Sequence, residues 1–522
     1  MGKKKSVVLM TLLTIVMLGL LFLAAFPSIP VSGIAHWNAA VMQFDLGMDL
    51  NGGYYAYYYP KGVVSETDYE TNVSMMEEDK AEEYAADYVK HGTLYISKDA
   101  EYGIVDEEGK IEPEFLETFN KAAEAISARY ADKGLADFSV SVVDDIALRI
   151  QLPASETSKN YDAATQASQI FSSFAFTDTM TIKKGGEVIE ELDGDDATIA
   201  DVLKSVKVKT RYEAAYLEFN FTDLGKEMIK AFVEENETAI EEAEAATEAG
   251  TETTAETTTL EFDFGENASA FLRFFLGDKT ALSVTHEMVN GSTIEYALAE
   301  DADITMVETL AVIMNSIIEY GDFDLEFEIS NIRQFEAVAG ENTLVWLYVV
   351  LFAVLVALVA FGIVKMGRFG IVSAYTSLSY LVITSLLFAF GSSGVFVVTI
   401  GSLAAFLFGL VLVNVLQYYI YNAIKKEFSL GKTVESSVKG GYKKTFWGIV
   451  DIYAVLFLGS LLFLIGCGGF GAMASQLVIC VLTAAFCNLL WARGINHVLL
   501  SASKDKYKYY RLVREDDEDD DE

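Results

Sequence analysis

Six apolar runs, one at the start and five toward the end, constrain this chain more than any other feature. Residues 6–26 form an uncharged apolar run, directly after Lys3, Lys4 and Lys5. It is long enough to cross a hydrocarbon core of roughly 30 Å. Five more runs follow Glu341, at Leu344–Val364, Gly370–Phe390, Val395–Ala423, Trp447–Ile465 and Ala472–Leu490. Lys365 and Arg368, the loop from Lys425 to Lys444, and the stretch from Arg493 to Arg514 all fall on the side of the N-terminal lysines. The loops at 391–394 and 466–471 carry no charge. Every loop meets the positive-inside rule if both termini are cytoplasmic and the region after the first helix is outside. A cleavable signal peptide competes for the first run. Phe26-Pro27-Ser28-Ile29-Pro30 offers no small-x-small cleavage site, which favours an uncleaved anchor. The expected division is a membrane helix at 6–26, an extracytoplasmic domain at 35–341, a five-helix bundle at 343–500 and a cytoplasmic acidic tail at 501–522.

Charge follows the same division. The 522-residue chain has a net charge of −38 although 52% of it is hydrophobic. Pro27 to Glu341 alone holds 64 acidic and 21 basic residues, a net of −43, so the remainder is slightly positive. External acidity of this size reads as a solvated surface and argues against a nucleic-acid partner. The three cysteines, Cys467, Cys480 and Cys487, lie in or beside the last two apolar runs, so disulfides do not hold the outside domain. No cysteine–histidine spacing fits a metal site, and no cofactor motif stands out. A P-loop, a nucleophile–base set and a paired-carboxylate cleft are all missing, so an enzyme is not expected.

Periodicity gives the outside domain a mixed α+β character. Glu114 to Arg129 places Phe115, Phe119, Ala122, Ala123 and Ile126 at helical spacing, with Pro113 before it and Gly134 after it. Phe138–Val143 and Ile146–Leu152 flank Asp144-Asp145 as a hairpin, Tyr161–Phe174 reads as a second helix, and Met180–Ile182 as a strand. This order suits a ferredoxin-like base over about residues 44–190. A second block, the head, spans about 191–320 and opens with a strand, turn and helix at Tyr216–Phe232. From Glu234 to Thr259 the chain is nearly all Glu, Thr and Ala, which predicts a mobile loop; a Glu/Ala helix through Glu248 is the alternative.

The octapeptide Leu46-Gly47-Met48-Asp49-Leu50-Asn51-Gly52-Gly53 reads alone as a strand ending in a turn, its glycines permitting a tight bend or a close backbone approach. In its position it resembles the LGLDLxGG signature of the SecD family, accessory subunits of the bacterial Sec protein translocon. Tyr216–Phe232 resembles the SLEFNEEGAKKF segment of that family, and Leu152-Pro153-Ala154 stands where its LPG falls. Phe428–Lys432 through Lys444-Thr445-Phe446 resembles its loop between the fourth and fifth helices, and Met366–Gly370 its turn between helices two and three. Ile449-Val450-Asp451 resembles the start of its ILDANLTTLI segment. The resemblance implies the architecture of the resistance–nodulation–division superfamily, which uses twelve helices. It therefore implies a SecF-type partner supplying the other six, contact with the translocon channel, and an unfolded polypeptide as substrate in a bacterial cell membrane.

Asp451, inside the fifth apolar run, is the candidate proton-relay residue, because a carboxylate in the bilayer is costly unless paired, hydrated or neutralised. Snorkelling beside Lys443 and Lys444 is the alternative. The family carries an acid in its fourth helix; aligned here, that place holds Val415, with the polar Asn414 and Gln417 beside it. Neither amide can carry a proton. Use of the proton gradient is therefore open. The rival function is a divergent exporter of a lipid or small molecule from the same superfamily.

Overall fold

The computed structural model describes the chain except residues 1–2, 26–28, 31–35, 38–43, 136, 155–162, 176–179, 190, 193–194, 197, 212–213, 249–256, 265–271, 273–275, 277–279, 291–292, 298–303, 322–324, 341–342, 391–396, 467–470, 503–511 and 513–522. Cys467 and all of the acidic tail except Ser501, Ala502 and Leu512 lie outside the described residues.

Among the described residues, six helices are long and apolar enough to cross a membrane, which makes this a multi-pass membrane protein. They are Lys3–Ala25, Thr343–Met366, Phe369–Phe390, Ile400–Ser429, Val434–Gly466, and a sixth that begins at Gly471 and ends at Ala502. The sixth is interrupted by one wide turn, a π-helix at Cys487–Trp491. Such bulges inside a helix frequently mark functional positions, because they redirect side chains that a regular helix would aim elsewhere. The second and fifth helices expose most of their apolar surface, whereas the third and fourth are half buried in the bundle.

The region between the first two membrane helices is built on an antiparallel sheet. Gly53–Pro60 is its central strand, with Ala147–Pro153 and then Ser139–Val143 on one side, and Phe327–Ile329 and Arg333–Phe335 on the other. The helix Pro113–Asp132 covers it, burying Phe115, Phe119, Ala122, Ala125, Ile126 and Tyr130 at helical spacing; Pro113 opens the helix where its missing N–H costs nothing. Tyr58 from the sheet and Tyr130 from the helix share a 2.6 Å hydrogen bond, and Tyr58 also donates to the Phe171 carbonyl at 2.6 Å. The hairpin turns at Asp144 and Asp145, both at positive φ, as its sequence predicts.

Two further four-stranded antiparallel sheets extend the same hydrophobic core. One runs in the order Leu203–Arg211, Ala214–Phe221, Thr293–Ala297, Val289–Asn290; the other in the order Glu187–Val188, Thr181–Lys184, Leu260–Asp263, Ala281–Val284. Buried Arg129 ties helices together through Ser316 Oγ at 2.9 Å and the Phe174 carbonyl at 3.2 Å.

One expectation needs correction. The Glu234–Thr259 segment is not a loop throughout: a single helix runs Asp223–Glu248. Its first half is anchored by buried Ile229, Phe232 and Asn236, and Asn236 accepts the Thr258 N–H at 2.8 Å. Once a helix is nucleated on packed residues, Glu and Ala propagate it at little cost. In isolation the Glu/Thr/Ala tract could not offset its ordering entropy, but here it continues a helix already anchored upstream. Residues 249–256 of that expected loop lie outside the described residues.

Candidate functional site

Two polar constellations stand out, one where the α+β domain meets the bundle and one inside the bundle. The first is built from the glycine-rich octapeptide. Asp45–Leu46 pairs in parallel with Val397–Val398, just before the fourth membrane helix, and Gly47 N–H donates to the Val398 carbonyl at 2.9 Å. Met48–Asn51 then forms one helical turn, where the sequence alone suggests only a strand and turn. Met48 N–H donates to Asp137 Oδ2 at 2.7 Å. Asp49 Oδ2 accepts the N–H of Ile400, the first residue of the fourth membrane helix, at 2.6 Å. A carboxylate at that end satisfies an otherwise orphaned N–H and meets the positive pole of the helix. Thr399 and Ser402 complete the cap reciprocally.

The glycines are there for space. A Cβ on Gly53 would overlap the Leu152 carbonyl oxygen, and Gly52 sits at φ 70 against the Phe335 carbonyl. A Cβ on Gly47 would come within 2.7 Å of both Asp137 Oδ2 and Thr399 Cγ2. Burial holds the Asp137 carboxyl above the ordinary carboxylate range; the Met48 N–H opposes this and the Asp49 charge adds to it.

The second constellation is a pair of neutral hydrogen-bonded clusters, one turn apart, that together draw on four membrane helices. Ser373 Oγ donates to Asn414 Oδ1 at 2.9 Å, and Asn414 Nδ2 donates to Ser377 Oγ at 2.8 Å. One turn on, Gln417 Nε2 donates to Asn488 Oδ1 at 2.7 Å, and Asn488 Nδ2 donates to Tyr453 Oη at 2.7 Å. All six residues are buried. Asn488 sits in the wide turn of the sixth helix, which brings its amide between the fourth and fifth helices. Among the described residues, Gln417 Oε1 has no partner.

Asp451 is not part of this network. It lies two residues from Tyr453, about 200° around the helix, and is therefore aimed the other way. It lines an open hollow of about 490 Å³ on the outer face of the bundle with Phe408, Leu412, Ile452, Val455 and Leu456. Phe408 and Leu412 lie about 12–18 Å along the helix from Ile400, so the carboxylate stands near mid-bundle.

No family model matches the chain. It is 24% identical over 258 residues to the protein translocase subunit SecD of Borreliella burgdorferi, a match covering 48% of this chain and 43% of that one. A crystal structure of SecDF in a super-membrane-facing form superposes with a TM-score of 0.56 at 14% identity, over 95% of this chain and 58% of that chain. The chain is SecD-like in sequence and SecDF-like in fold. A second SecDF crystal structure, from Thermus thermophilus and described as a translocon-associated membrane protein, matches with a TM-score of 0.40 at 13% identity, over 96% of this chain and 60% of that one. This SecD-like chain spans less than half the length of the curated relative it matches.

Of the residues singled out in the SecD-like sequence, the structure brings Asn414 and Gln417 into the buried network and Gly47, Asp49, Gly52 and Gly53 into the joint. Leu46 supplies strand pairing there. Asp451 joins neither group. Val415, at the place of the family's acid, is 56% exposed and stands on the outer face. Sequence reasoning missed Asp137, Ser373, Ser377, Tyr453 and Asn488. Asn488, with Gln476 one of two amides in its apolar run, was the legible signal, since a membrane helix seldom carries such a group without a partner.

Proposed function

We propose that this chain is an accessory subunit of a Sec translocon, assisting the export and release of secreted polypeptides. In this reading the α+β domain at 35–341 lies outside the cytoplasm, both termini lie inside, and a SecF-type subunit supplies the other half of the membrane assembly. The observation that carries the reading is the joint between Asp49 and Ile400, reinforced by Gly47 and Val398. It connects the outside domain to the end of the helix bearing Asn414 and Gln417, so a shift of that helix reaches the domain that would handle the polypeptide.

The open position of Asp451 supports the partner. A carboxylate at mid-depth on an apolar face is costly against lipid, and a second subunit seated on Phe408, Leu412 and Val455 would cover it. The buried network holds no carboxylate. Proton coupling in this reading therefore falls to Asp451 and to groups of the partner across the hollow. No observation favours the exporter alternative. Affinity purification of the tagged full chain in mild detergent tests the reading. Recovery of a SecF-type subunit and the translocon channel is expected, and recovery of an unrelated transporter would contradict it.

A further inference from the structure

The strand Leu203–Arg211 is the outer strand of its sheet, bonded on one side only, to Ala214–Phe221. Its other side is partly occupied in an informative way. Asn315, from the helix Ile304–Tyr320, accepts the Val206 N–H at 2.8 Å and donates Nδ2 to the Val206 carbonyl at 2.8 Å. A side-chain amide has the same donor and acceptor as a peptide unit, so Asn315 makes the pair of bonds that one residue of an added strand would make.

Register then fixes the rest of the edge. In an antiparallel ladder a residue turns both its N–H and C=O toward a given neighbour, or neither, and the pattern alternates. Val206 faces outward, and the pairing is continuous from Ser205 to Arg211. Val208 and Thr210 therefore also present N–H and C=O outward, while Lys207 and Lys209 bond inward opposite Glu218 and Tyr216. Among the described residues nothing bonds to the outward groups of Val208 and Thr210. A groove of about 760 Å³ opens beside Val208, walled by the Ile304–Tyr320 helix and lined also by Lys133 and Glu308, which form an ion pair at 3.4 Å.

Exposed edges are normally blunted by charge, because free ladder groups pair with any extended chain. Lys204, Lys207 and Lys209 stand along this strand, and of these Lys209 is neutralised by an ion pair with Glu218. The groove walls are mixed: Val208, Ala311 and Val312 are apolar, while Lys207 and Glu319 carry opposite charges. Such a wall selects for backbone conformation over side-chain sequence.

We propose that the outer edge of the strand Leu203–Arg211, beyond Asn315, takes an extended, unfolded polypeptide segment as an added strand, its alternate side chains entering the adjoining groove. The guest's identity as an exported chain rests on the function proposed above; the surface itself does not. Main-chain bonds to Val208 and Thr210 give affinity for any extended backbone, and Asn315 sets where the guest strand can begin.

The test uses the full-length protein in detergent and a fluorescein-labelled, capped peptide of alternating Thr and Val with terminal lysines. Its control is the same peptide N-methylated along one edge. The N-methylated peptide should bind about tenfold more weakly, the effect of one backbone hydrogen bond left unmade. Val208→Pro, which removes an outward N–H at an edge where proline is tolerated, should weaken the parent peptide similarly. Thr210→Pro provides an independent variant if the first unfolds. At saturation with peptide, the Val208 and Thr210 amides should exchange more slowly, with those of Lys207 and Lys209 unchanged. Equal binding of the two peptides, or unaltered exchange at Val208 and Thr210, overturns the surface and leaves the export reading untouched. Binding as expected together with normal export by Val208→Pro leaves the surface standing and removes its link to export.

Discussion

The Asp49 carboxylate reaches 351 residues along the chain to accept the Ile400 N–H at 2.6 Å, at the first turn of the fourth membrane helix. Around that bond the backbone packs too closely for most side chains. The domain and the bundle meet through a few short, specific contacts between backbone and carboxylate, which is an arrangement suited to transmitting small displacements.

The glycine pair is expected to be structural. Gly53→Ala should destabilise the protein by about 1–3 kcal/mol, because the Leu152 carbonyl occupies the space a methyl would need. Gly52→Val adds a β-branched residue at positive φ and should do at least as much harm. Limited proteolysis of the purified protein reads both effects. Wild-type resistance combined with lost export would instead make the motif a contact surface.

Asp137 should make stability depend on pH in a defined direction. Its folded-state pKa is raised, so the folded protein holds this proton more tightly than the unfolded chain. Stability from this group therefore falls as pH rises from the ordinary carboxylate range through the raised value. Asp137→Asn keeps an oxygen acceptor for the Met48 N–H and removes the half-buried charge. The Asn variant should melt higher than wild type at neutral pH, and its advantage should shrink as pH falls through the raised value. An advantage that does not change with pH would contradict the assignment.

Much of this architecture was legible because its causes are local. The six apolar runs, the hairpin turning at Asp144-Asp145 and the helix from Pro113 declare themselves through composition and period. The octapeptide was legible as important, but not as a helical turn seated on a membrane helix, because its partners Asp137 and Ile400 are remote in sequence. The same limit hid the bonds from Asn488 to Gln417 and Tyr453, which exist only because one wide turn reorients Asn488. The Asp223–Glu248 helix was misread because its stability comes from residues upstream of the Glu/Ala tract. The direction in which Asp451 faces could be learned only from the packing of the neighbouring helices.

The neutral network should hold the bundle together cooperatively. Tyr453→Phe removes one bond and should cost about 0.6 kcal/mol, a typical value for such bonds between membrane helices. Asn488→Ala should cost more, because it leaves both Gln417 Nε2 and Tyr453 Oη without their partner. Thermal unfolding in detergent should rank them in that order. Equal melting temperatures would mean that the amide chain contributes no more than its shape.

If the joint delivers bundle movement to a domain that works in export, precursor accumulation on depletion of the chain measures it most directly. Depletion in the native host should slow maturation of a secreted reporter. Re-expression of wild type should restore it, whereas Asp49→Ala, present at wild-type levels in the membrane, should not. Unchanged maturation on depletion, accompanied by loss of export of a lipid or small molecule, would contradict the account.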